Sequence, residues 1–273
     1  MSERIVVMSD TAISDRDAIR SNLIPGRLKS VVVGPKMTIS YAGLSSQALD
    51  TIRNVHRNGA ANDEAAIACL LSACHEYLGR VEFLFCSHNA LGIGRLVKVT
   101  SSGAAEGASR YWIGDGDAAR TLSNLDVKLA PVVGQSDYVS PDEIVFTRTF
   151  SAFLERHSNH LVGGAAINCL CSAHGHCYQN EAGAFMLTPI QIPDPVSPEI
   201  RAAEERSGMS RFSYHVYGAD DRGVAVVGYY LEQAQTGYLY IPMEHDDALK
   251  VEARDQAEFK EIVTAAGRAR ARP

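Results

Sequence analysis

Leu28-Lys29-Ser30-Val31-Val32-Val33-Gly34-Pro35-Lys36-Met37-Thr38-Ile39-Ser40-Tyr41-Ala42-Gly43 reads as a β-hairpin. Ser30 to Val33 and Met37 to Tyr41 are β-branched-rich runs, and Gly34-Pro35-Lys36 between them is a tight turn. Another short run of this kind, Ile5 to Met8, precedes them. Beyond Ala42-Gly43, Ser45 is placed to cap a helix over Gln47 to His56. Asp63 is placed to cap a second one through Ala65, Ala66, Cys69, Leu70, Ala73 and Tyr77, apolar at three- and four-residue spacing and closed by Gly79.

Downstream, Val81 to Cys86, Gly94 to Thr100 and Ser109 to Ile113 read as a meander of strands. Asp115-Gly116-Asp117 opens a helix over Ala118 to Leu122, and Ser140-Pro141-Asp142-Glu143 starts a longer one reaching about Arg156. Strands come next at Gly163 to Ser172 and Ala182 to Gln191, then a short helix from about Glu199 to Arg206. Phe212 to Val216, Val224 to Glu232 and Gly237 to Ile241 are closing strands. The chain ends with a helix over Glu252 to Ala266 and a solvated basic tail at Arg268, Arg270 and Arg272. Strands and helices come in groups, not in βαβ alternation, which predicts antiparallel sheets in an α+β fold.

The 273 residues are 46% apolar and 21% charged, which excludes disorder and leaves chain enough for one large domain or two small ones. A net charge of −6 argues against nucleic acid or an anionic membrane as partner. Met1 to Arg4 does not open a signal segment, and the longest stretch free of Asp, Glu, Lys and Arg, His157 to Asn180, is too polar for a membrane helix. The six cysteines are expected to be reduced thiols in a cytoplasmic protein.

Ile5-Val6-Val7-Met8-Ser9-Asp10-Thr11 resembles the strand and Asp-Ser/Thr turn of proteasome β-type and related bacterial peptidase subunits, within the N-terminal-nucleophile hydrolase superfamily. The order of the next elements is similar to that family's too: Lys29 before a strand, Ala42-Gly43 closing the next strand, then two helices. The 14 residues from Lys29 to Gly43 match the family's interval. Trp112 to Ala119, with Gly114-Asp115-Gly116, looks like its strand-to-helix turn, Leu161 to Ile167 like its Gly-Gly strand start, and Gly223 to Gly228 with Gly237 to Tyr240 like its last strand pair. The likeness implies a four-layer αββα sandwich over residues 1–250, followed by a C-terminal helix and tail at 251–273, and self-association into a homo-oligomer or ring.

By the same resemblance the chain is a peptidase or amide-bond hydrolase acting on peptides. Ser2, exposed by removal of Met1, is the nucleophile and its α-amine the base; an α-amine near pKa 8 is substantially neutral at working pH. Lys29 tunes that amine, Asp10 orients Lys29, the Gly43 N–H stabilises the oxyanion, and Asp115 stands where the family turn carries Ser. Nine residues precede Asp10, where the family has a whole extra strand, and Asn159 and Val162 replace a family Asp and Ser. These departures define the alternative: a non-catalytic ring or scaffold subunit that has lost the nucleophile strand.

Cofactor motifs give less. No phosphate loop or dinucleotide fingerprint is present, so no nucleotide cofactor is expected. Cys169, Cys171, His174, His176 and Cys177 form the one close cluster of soft metal ligands. Their spacing matches no standard zinc pattern, and they read as core thiols on a strand with the histidines in the turn beyond it, not as a metal site.

Overall fold

The computed structural model describes residues 4–11, 26–58, 62–124, 141–157, 164–186 and 211–271. It is an α+β chain with three antiparallel sheets. The hairpin strands β2 (Ser30–Gly34) and β3 (Met37–Gly43) continue through β4 (Val81–His88), β5 (Gly94–Thr100) and β6 (Gly103–Glu106) in the order β2-β3-β4-β5-β6. β1 (Ile5–Ser9) pairs with β7 (Ile167–Ser172), which pairs with β8 (Gly175–Tyr178). The third sheet runs β13-β12-β11-β10-β9, from β9 (Glu181–Met186), β10 (Arg211–Gly218), β11 (Val227–Leu231), β12 (Thr236–Tyr240) and β13 (Leu249–Glu252).

Alternation along the hairpin decides what each face covers. Val31, Val33, Ile39 and Tyr41 turn to one face and pack with helices α1 (Ser45–Arg57) and α2 (Asp63–Glu76), which present Ala48, Leu49, Ile52, Val55, Ile67 and Leu70. Val32 turns the other way, into a core shared by all three sheets with Val7, Cys86, Cys169, Val216, Tyr229 and Tyr240. Helix α5 (Gln256–Arg270) covers the third sheet, seating Phe259 and Val263 against Tyr230 and Leu239. Among the described residues, α3 (Gly116–Ser123) and α4 (Pro141–His157) join Ala118, Phe150 and Phe153 to Met8 and Ala166.

Several local expectations change. Ser45 does not cap α1: its hydroxyl and that of Ser46 accept from Arg27 Nη1, both at 2.7 Å, and Leu44 occupies the cap position without a side-chain bond. Asn62, not Asp63, caps α2 through Ala65 N, because Asp63 accepts from Ser87 Oγ on β4. Residues 109–113 form no strand; a two-residue turn at Ser101-Ser102 sends the chain straight back as β6, whose Gly-Ala-Ala-Glu carries little β signal.

At the C-terminal end, β13 ends on Glu252, the residue expected to begin the last helix, and Asp255 caps α5, which starts at Gln256, through Glu258 N. Arg268 and Arg270 therefore lie in the helix rather than in a tail, and Arg270 forms a two-armed ion pair with Glu244 at 2.8 and 2.6 Å. No described helix is long and apolar enough to cross a membrane. The expected helix from about Glu199 to Arg206 lies outside the described residues, as does Arg272.

Candidate functional site

Asp10 stands one residue past the end of β1 and Lys29 one residue before β2, so the pair bridges two sheets. Lys29 Nζ lies 2.7 Å from Asp10 Oδ1, with side chains 18% and 12% exposed. At that exposure the pair is shielded from bulk water without being sealed, which keeps the Coulomb attraction stronger than at an open surface. The turn that carries Asp10 is fixed from two sides: Arg27 N donates to Thr11 O, and Ala165 N donates to the wholly buried Thr11 Oγ1, both at 2.9 Å.

Gly43 belongs to the same end of the hairpin. Tyr41 N donates to Lys29 O at 2.9 Å, and strand alternation turns the Gly43 N–H to the same edge, about 7 Å further on. Gly43 has φ +95°, and a Cβ there would collide with the Arg80 carbonyl, so only glycine fits. The Gly114-Asp115-Gly116 turn is packed beside it, since a Cβ on Gly114 would stand 3.1 Å from the Ala42 Cβ. The Asp115 carboxylate is engaged as the cap of α3, accepting from Asp117 N at 2.9 Å.

The structure thus brings Asp10, Lys29, Gly43 and the Asp115 turn to one end of the sheets. Ser2 lies outside the described residues, as do Asn159 and Val162. Arg4, the first described residue, is six positions up-chain from Asp10, about 20 Å along an extended strand. Among the described residues no hydroxyl hydrogen-bonds the Lys29 ammonium. Tyr41, which its strand pattern marks only as a core residue, is also here: its buried hydroxyl has no hydrogen-bond partner among the described residues, and burial pushes its pKa well up.

A second cluster occupies the opposite, turn end of the hairpin. His176 is not in a turn; the turn is Ala173-His174, and Gly175 with φ +129° begins β8, where His176 is fully buried. Its Nδ1 lies 2.9 Å from Thr38 Oγ1 and its Nε2 2.9 Å from His88 Nδ1. Cys171 faces His176 directly across the β7–β8 ladder, and its Sγ is 3.5 Å from Thr38 Oγ1. Cys86, Thr38's partner on β4, completes the group. Of the soft ligands that lie close together in the sequence, Cys171 and His176 are in it. Cys169 is buried, Cys177 is partly so, His174 is exposed, and none of the three joins it.

The two thiols respond oppositely. The hydrogen bond to Cys171 and burial push Cys86 up. Burial also works against ionising Cys171, but its hydrogen bonds with Cys86, His176 and Thr38 outweigh that and hold it below the usual thiol value. The strand expected at Val81 to Cys86 runs on to His88, which sets Cys86 and His88 on one face; ending it at Cys86 hid that pair. No protein-family model matches the chain, and no curated protein matches it.

Proposed function

We propose that the chain is a divergent proteasome-like N-terminal-nucleophile protein whose Asp10–Lys29–Gly43 end hydrolyses amide bonds in peptides. The observation that carries this reading is the 2.7 Å Lys29–Asp10 pair joining two sheets beside the glycine that ends β3. A four-layer αββα order is part of the proposal. In its support, α1 and α2 cover one face of the β2–β6 sheet, and its other face shares a core with the remaining sheets. Those sheets in turn carry α4 and α5.

In this chemistry the nucleophile's hydroxyl oxygen attacks the peptide carbonyl while its proton passes to the neighbouring α-amine. The Lys29 charge favours the deprotonated amine, and the Gly43 N–H donates to the oxyanion. Collapse expels the leaving amine with that proton, and water then hydrolyses the ester. Ser2 is the nucleophile the resemblance assigns.

The roughly 20 Å of strand between Arg4 and Asp10 favours a second reading, a non-catalytic ring or scaffold subunit of the same fold. Hydrolysis of a fluorogenic peptide panel by wild type and by Lys29→Ala separates the two. The hydrolase reading expects turnover that falls at least about a hundredfold in the variant. Turnover equal in both proteins contradicts it, and no turnover in a folded wild type leaves the scaffold reading.

A further inference from the structure

We propose that Cys86, His88, Cys171 and His176 form a closed, tetrahedral zinc site that clasps the β2–β6 sheet to the β1-β7-β8 sheet. Cys86 Sγ and one ring nitrogen from each of His88 and His176 all lie within 4.8 Å of one another, and all three residues are buried. The fourth donor, Cys171, is fully buried and directly opposite His176 in the ladder, with its Sγ 3.5 Å from Thr38 Oγ1; that sulfur stands outside the 4.8 Å group and has to turn in to close the site. Two thiolates and two imidazoles are a donor set that suits tetrahedral zinc.

Strand geometry makes this convergence a built feature. Cys86 and His88 alternate onto one face of β4, and Thr38, opposite Cys86, lies on that same face. The hairpin turn holds both histidine strands by their backbones: His88 N donates to Lys36 O at 3.2 Å and His176 N to Pro35 O at 2.8 Å. Thr38 Oγ1 sits on His176 Nδ1 and leaves Nε2 to face inward, the outer-shell arrangement that fixes a ligating imidazole.

Charge allows the ion, and distance asks for a turn of Cys171 and a small opening between the histidines. Zinc bound by two thiolates and two neutral imidazoles is electrically neutral, so its burial avoids the penalty of an isolated dication. Binding releases the two thiol protons, and each histidine gives a lone pair. The His88–His176 N···N separation of 2.9 Å needs to open to roughly 3.3 Å, the edge of a tetrahedron with zinc–nitrogen bonds of about 2.0–2.1 Å. Along β3, Thr38 and Gly43 are about 17 Å apart, so the clasp is structural and separate from the Lys29 end.

The test is metal content of the purified full chain after dialysis in metal-free buffer, then titration with Zn²⁺ and Co²⁺. Expected are one zinc per chain and, with cobalt, the intense visible bands and thiolate charge-transfer band of a tetrahedral site. Cys86→Ser and Cys171→Ser are expected to lose that band, Thr38→Val to weaken zinc about tenfold, and Cys177→Ser to leave binding unchanged. A folded wild type that retains no zinc, or gives only the pale spectrum of octahedral cobalt, overturns the proposal without reference to any variant. So does tight binding that survives both serine substitutions.

Discussion

Lys29 and Asp10 pair in a place with little water, so removing either loses a charge-assisted contact there. Lys29→Met or Asp10→Asn should cost about 1–3 kcal/mol in urea unfolding. The double variant should cost less than the sum of the two, since the shared contact is lost only once. Strict additivity would mean that the two side chains do not interact in solution. Gly43 is a different kind of residue: its positive φ and the Arg80 carbonyl beside it demand glycine on steric grounds alone. A scaffold and an enzyme would both keep it, so the ion pair, not the glycine, discriminates between the two readings.

At the level of elements, α5 shows how small residues in strands admit a large one from a helix. Gly237 on β12 and Gly228 on β11 have no side chain, and the Phe259 ring lies where their Cβ atoms would be. Phe259→Ala is expected to destabilise by about 3–5 kcal/mol in urea unfolding. Gly237→Ala should also destabilise, by forcing the ring out of its seat, whereas unchanged stability in both would mean that α5 is not docked as described. The same scale shows what was legible in the sequence. The hairpin, both following helices and the closing strands stand out because period and turn chemistry agree there. The β6 and β8 strands do not: each is four residues long, begins at a positive-φ glycine and lacks the β-branched run that marks a strand. Missing β8 placed His176 in a turn, which hid its convergence with Cys86 and His88; no local pattern reports pairing between residues 88 positions apart.

Across the whole molecule, the three sheets meet in one core, and the β2–β3 hairpin lies against both of its special ends. Its open end carries Lys29 and Gly43, and its turn end holds His88 and His176 by backbone hydrogen bonds. Tyr178 ties the middle, its hydroxyl donating to Ser30 O at 3.0 Å and accepting from Val32 N at 3.1 Å. A rigid strut of this kind keeps a cation fixed against a carboxylate from another sheet, which is what positioning a reacting amine requires. The most direct measurement is intact-mass analysis of the whole protein after exposure to a β-lactone that acylates nucleophilic hydroxyls. The account predicts a single adduct, mapped by fragmentation to an N-terminal hydroxyl residue and lost in Lys29→Ala; no adduct on folded wild type, or an equal adduct on the variant, would contradict it.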